Sequence, residues 1–155
     1  MKGNQRVIDE LKKLLAGELA ARDQYFIHSR MFDDWGLTKL AAHFEHEMEE
    51  ETGHADLIIK RILFLEDTPD LNQQEPVNVG ADVKTIMEND LALENKVNAS
   101  LKAAIKLCEE EQDYVTRDML ESQLKDTEED HTHWLEQQLG LIDKIGTRNY
   151  IQSQM

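Results

Sequence analysis

A short pattern is written twice in this chain, and it limits what the chain can fold into more than any other feature. The first copy is Glu18 followed 33 residues later (51 − 18) by Glu51-x-x-His54. The second is Glu94 followed 34 residues later (128 − 94) by Glu128-x-x-His131. A carboxylate and an imidazole at i, i+3 project from the same side of an α-helix, so each pair can serve one metal ion. Two such pairs and two lone carboxylates make a two-metal site when the helices that carry them face one axis. Carboxylates gathered in a bundle interior without counter-charge are costly or become protonated, and bound cations remove that difficulty.

The apolar spacing supplies the helices. Ile8, Leu11, Leu15, Leu19, Tyr25 and Phe32 follow a helical repeat and predict a first helix from Gln5 to Asp34, punctuated by Gly36. A second, carrying Leu40, Phe44, Ile58 and Ile62, runs to about Leu65. The stretch from Glu66 to Gly80 holds both prolines, Pro69 and Pro76, and reads as a loop. Asp82 is a candidate N-cap for a third helix through Val83, Met87, Leu91, Val97, Leu101 and Leu107. After a turn within Glu109–Asp113 a fourth helix runs to about Leu139. Gly140 and Gly146 break up the end, leaving room for a short fifth helix near Asn149–Gln152.

Short links make the first and second helices, and the third and fourth, antiparallel hairpins. The long loop can travel the length of a bundle, so the second and third helices run parallel. The expected fold is all-α: a single domain over residues 1–155, a four-helix bundle with one long crossover loop and a short C-terminal helix. From Glu18 to Gly36 is 18 residues and from Gly36 to Glu51 is 15. At about 1.5 Å per residue the two legs differ by only about 4–5 Å, which brings the ligands to nearly one height.

A formal net charge of −15 argues against nucleic acid or an anionic membrane as a partner and favours cations. The single cysteine, Cys108, excludes an internal disulfide framework or a four-cysteine metal site within one chain, and is expected in the core. Met1–Arg6 lacks the apolar run of a signal peptide and no segment is suited to span a bilayer, so a cytoplasmic protein is the expectation.

Taken alone, Glu-x-x-His is a weak motif. In this layout the chain resembles the bacterioferritin family from end to end. The resemblance is carried by Gly17-Glu18-Leu19, Asp23-Gln24-Tyr25-Phe26, His54-Ala55-Asp56, Arg61-Ile62-Leu63-Phe64-Leu65-Glu66 and Asp90-Leu91-Ala92-Leu93-Glu94. Asp113-Tyr114-Val115, His131-x-x-Trp134-Leu135-Glu136 and Asn149-Tyr150-x-Gln152 complete it. It implies a ferritin-like bundle, a hollow shell of about 24 subunits, and an iron-storing ferroxidase that oxidises Fe²⁺ with O₂ or H₂O₂. Glu18 and Glu94 are then terminal ligands of a di-iron centre, Glu51 and Glu128 bridging ligands, and His54 and His131 one nitrogen ligand to each iron. A ferredoxin that reduces the store for iron release is a further implied partner.

One position departs from that family. Its haem-ligating Met follows the second-helix Glu directly, and here the residue is Thr52. A hydroxyl is a poor ligand for haem iron beside a thioether, and Met48 lies one turn away. The chain therefore looks closest to the haem-free bacterial subtype, with co-assembly beside a Met-bearing, haem-binding subunit as the route to haem.

Other residues carry two readings each. Tyr25 shares the face of Glu18 and either serves the site, by a hydrogen bond or an electron, or is a core tyrosine. His46 and Glu50 resemble the family's inner-surface iron site or are a solvated pair. Asn149 and Gln152 match residues that line its four-fold pore, and without the resemblance are surface amides. His28, His43 and His133 receive no role, and Trp35 and Trp134 are read as packing. Three other functions compete: a rubrerythrin-like peroxidase, disfavoured by the single cysteine; a DNA-protecting miniferritin, disfavoured by the acidity; and a metal-free structural bundle.

Overall fold

The computed structural model describes all 155 residues. It has no strand, and its helices are α1 (Gln5–Asp34), α2 (Thr38–Phe64), α3 (Val83–Glu110), α4 (Tyr114–Lys125), α5 (His133–Ile145) and α6 (Thr147–Ser153). A π-helical segment, Asp126–Thr132, joins α4 to α5. Backbone dihedrals at Lys125 and His133 stay α-helical, so α4, the π segment and α5 form one rod, the fourth long helix of the bundle. No helix is long and apolar enough to cross a membrane.

Local chemistry sets the helix ends. Asn4, Asp82 and Asp113 cap α1, α3 and α4, their side chains accepting from backbone N–H groups in the first turn. At the other ends, Leu37 N–H donates to Phe32, Asp67 N–H to Ile62 and Asp113 N–H to Cys108, the six-to-one bond of a Schellman motif. The residue before each donor is left-handed: Gly36 at φ 78°, Glu66 at φ 66° and Gln112 at φ 58°. Gly140 does not interrupt its helix, contrary to the sequence expectation. It lies inside α5, which continues to Ile145 and ends at Gly146 with φ 84°.

The crossover follows the expected route. Gly3 N–H donates to Leu65 O, so α2 ends beside the start of α1. The connecting segment then climbs along α1, with Glu75 N–H on Ala16 O, Asn78 N–H on Gln24 Oε1 and Gly80 N–H on His28 Nε2. Because His28 Nε2 accepts from Gly80, Nδ1 carries the proton and donates to Asp90, 3.0 Å away. Gln24 donates to the same carboxylate at 2.7 Å. Burial holds the Asp90 carboxyl above its usual range, and the bonds from His28 and Gln24 only partly offset this. His28, without an expected role from its spacing, thus fastens the crossover to α1 and α3.

Two apolar clusters fill the bundle. One gathers Val7, Leu11, Leu15, Ile58, Ile62, Leu101 and Leu120 with Cys108, the expected core cysteine. The other gathers Tyr25, Phe32, Phe44, Ile86, Met87, Leu135 and Tyr150, the last of which anchors α6. Between them lies a charged layer.

Candidate metal centre

Five residues of the repeated pattern meet in that layer. Glu18 on α1, Glu51 and His54 on α2, Glu94 on α3 and His131 on the π segment are all buried, none more than 6% exposed. They form two ligand sets that share Glu51: Glu18, Glu51 and His54 in one, and Glu51, Glu94 and His131 in the other. Within each set the ligand atoms lie within 4.8 Å of one another. His54 Nδ1 is 3.5 Å from Glu18 and 3.6 Å from Glu51. His131 Nδ1 is 2.8 Å from Glu51 and 3.2 Å from Glu94. The two imidazoles lie nearly parallel, with ring centroids 5.8 Å apart.

These residues fit a pair of cations. Both carboxylate oxygens of Glu18, Glu51 Oε2, Glu94 Oε2 and His54 Nδ1 are buried without any hydrogen-bond partner, and Glu51 Oε1 meets only His131 Nδ1, at 2.8 Å. Orphaned acceptors pointing into one small space are a costly arrangement in a core unless a cation meets them. Three carboxylates and two imidazoles through nitrogen are hard and borderline donors, the set that suits first-row divalent metals.

Without metal, protons balance the charge. Burial pushes the Glu18 carboxyl well above its usual range, and Glu51 beside it adds to this. Burial alone would lower the His54 imidazolium, but Glu18 and Glu51 outweigh it and push it up to about 11. His131 is raised the same way, burial being outweighed by Glu47, Glu51 and Glu94. Tyr25 donates its hydroxyl to Glu94 Oε1 at 2.7 Å, and burial, then Glu94, raises its pKa well above that of a free phenol.

The structure does not bring Glu128 to this cluster. Its side chain is 45% exposed and lies 3.7 Å from Lys102 on the surface. The reason is the π segment. Closing each turn one residue later rotates successive side chains by less than the roughly 100° of an α-helix, so the i, i+3 rule fails there. Thr127 faces inward instead, fully buried, with its hydroxyl unpartnered.

Residues outside the pattern do reach the imidazoles. Asp126 Oδ2 lies 3.2 Å from His54 Nε2. Glu50 Oε2 lies 2.6 Å and Glu47 Oε2 2.8 Å from His131 Nε2. Glu47 and Glu50 precede Glu51 and His54 by one turn each, so their faces were readable from the sequence; Asp126 gave no such signal. His46 is 2.9 Å from Glu50 and, with Glu47, forms a third, more open group of ligands. Despite burial, His131 and His46 hold the Glu50 carboxyl below its usual range.

The remaining candidates lie apart. Thr52 is exposed and donates its hydroxyl to Met48 O, while Met48 packs against the Tyr25 cluster. Asn149 and Gln152 are exposed on α6, and Asn149 donates to Ile145 O. Trp134 stacks on His43 at 3.7 Å, and Trp35 is half-exposed against Phe32.

Comparison with known proteins agrees with this architecture. A ferritin-like domain model matches residues 8–145. The chain is 61% identical to a bacterial ferritin of Synechocystis sp. over 155 residues, covering 100% of this chain and 99% of that protein. It is 59% identical to a bacterial ferritin of Neisseria meningitidis serogroup B, over 100% of both chains. A bacterioferritin of Brucella melitensis is 41% identical over 150 residues, 97% of this chain and 92% of that one.

Proposed function

This chain belongs to the ferritin-like domain family, and on that premise we propose that it stores and detoxifies iron. It is a ferroxidase that oxidises Fe²⁺ at the centre inside each subunit and keeps the ferric product as mineral in a hollow shell of its own copies. The observation that carries this reading is the pair of buried ligand sets joined through Glu51, with most of their acceptor atoms unpartnered.

Fe²⁺ is the substrate. Glu18 and His54 hold one ion, Glu94 and His131 the other, and Glu51 lies between them. Anionic oxygen donors favour Fe³⁺ over Fe²⁺, so the residues that bind the ions also make them easier to oxidise. Two ions held side by side supply two electrons together. With two protons these convert O₂ to H₂O₂, or H₂O₂ to two waters. Binding displaces the protons that Glu18, His54 and His131 carry in the metal-free state. Tyr25 holds Glu94 by its hydrogen bond and orients that carboxylate toward its ion.

The chain is one ferritin-like domain, works in the cytoplasm with about 24 subunits to a shell, and takes electrons for iron release from a ferredoxin. The homomer binds no haem, because Thr52 offers no thioether, and haem enters only through a Met-bearing partner subunit. His46 and Glu50 serve iron at the inner surface; Asn149 and Gln152 line a pore.

The test combines size-exclusion chromatography with stopped-flow oxidation. The expected result is a particle far larger than one subunit and a fast phase that saturates at two Fe²⁺ per subunit. A monomer or dimer at micromolar concentration, or oxidation with no saturable phase, contradicts the proposal.

A further inference from the structure

We propose that Asp126 is a positioning residue of the metal centre, acting through His54. Nδ1 of His54 faces Glu18 and Glu51 and has no hydrogen-bond partner, so Nδ1 is the nitrogen available to a metal. An imidazole that gives Nδ1 to a metal carries its remaining proton on Nε2. Asp126 Oδ2 stands 3.2 Å from Nε2 and accepts that proton's hydrogen bond. A carboxylate on the outer nitrogen fixes the tautomer and the ring orientation, and makes the inner nitrogen a better donor.

The other half of the centre repeats the arrangement. His131 turns Nδ1 to Glu51 and Glu94, and its Nε2 lies 2.6 Å from Glu50. Both imidazoles therefore sit between an inner ligand set and an outer carboxylate. They differ in supply. His131 has Glu47 in reserve, 2.8 Å from the same nitrogen, whereas the carboxylates within reach of His54 Nε2 reduce to Asp126.

Asp126 is the first residue of the π segment, which also carries His131 and turns Glu128 away. The irregular turn thus exchanges a carboxylate inside the centre for one that grips a ligand from outside. Sequence spacing gives no hint of this contact, because Asp126 and His54 are 72 residues apart.

The inference rests on the di-metal reading and has its own test. The assembled, demetallated protein is titrated with Co²⁺ alone, followed by the visible d–d absorption. The unmodified protein takes up two Co²⁺ per subunit. In Asp126→Ala one of the two weakens about tenfold and its band shifts, while the other keeps its affinity. Asp126 is 48% exposed, so the fold tolerates the change, and the effect belongs at the lower end of the usual range. Asp126→Asn, whose amide oxygen can still accept from Nε2, recovers most of the loss. Two unchanged Co²⁺ affinities in Asp126→Ala, or an Asn variant as weak as the Ala variant, would overturn the inference. No Co²⁺ uptake by the unmodified protein would instead overturn the di-metal reading.

Discussion

Replacing Glu51 and Glu128 separately by Ala should give opposite results, although the sequence writes them in the same motif. Both oxygens of Glu51 are buried, and both imidazoles lean on it, at 3.6 Å for His54 and 2.8 Å for His131. Two unit charges about 4 Å apart interact by about 4 kcal/mol at an effective dielectric of about 20, and Glu51 belongs to both ligand sets. Losing even half of one such interaction costs about 2 kcal/mol, or about thirtyfold in affinity at 25 °C. Glu51→Ala should therefore abolish the saturable fast phase of Fe²⁺ oxidation at micromolar iron. Glu128 is 45% exposed and pairs with Lys102 at 3.7 Å. An exposed pair of that kind contributes about 0–1 kcal/mol to stability and nothing to a site it does not touch. Glu128→Ala should keep the fast phase within about twofold of the unmodified rate. Stopped-flow oxidation of both variants is the assay. Loss of the fast phase in Glu128→Ala would place Glu128 in the centre, and its survival in Glu51→Ala would take Glu51 out of it.

Three further outcomes are expected. The folded-state pKa of His54, about 11 against 6.5 for a free imidazole, means its proton stabilises the metal-free fold fully below about pH 6.5 and is lost as pH rises toward 11. The raised Glu18 carboxyl works in the same direction, so the demetallated protein should melt lower at pH 9.5 than at 6.5, while stabilisation by Co²⁺ grows with pH; calorimetry with and without metal reads both. Thr52→Met places a thioether on the exposed face of α2 and should raise haem uptake by the homomer, read from the Soret band, whereas the unmodified homomer shows no stoichiometric band. His28→Ala removes one of the two donors to the buried Asp90 carboxyl, leaving Gln24, and frees Gly80 N–H, and should cost about 2 kcal/mol, measured by chemical denaturation of the demetallated protein; an unchanged midpoint would show that the crossover is held elsewhere.

Most of the fold was legible because its signals are local. Asp82 and Gly36 mark helix ends through side-chain capping and a left-handed residue, and both act within a few positions of themselves. The crossover was legible from its length and its two prolines. The anchor that holds it was not, because His28 and Asp90 are 62 residues apart and meet only after the bundle forms. The centre divides the same way. Glu18, Glu51, His54 and Glu94 lie on regular α-helix, where spacing translates into a face. Glu128 and His131 lie on the π segment, where the same letters give another geometry: His131 enters the centre and Glu128 leaves it. Nothing in the run Asp126–Thr132 announces a wider turn, so the sequence overstates the symmetry of its own repeat.

Anomalous diffraction from crystals soaked anaerobically in Fe²⁺ locates the ions themselves. Two iron peaks inside each bundle are expected, one against Glu18 and His54 and one against Glu94 and His131, with Glu51 between them and Glu128 still beside Lys102. A single peak in the bundle, or iron confined to the His46 and Glu50 surface, would rule out a two-iron centre built on Glu51.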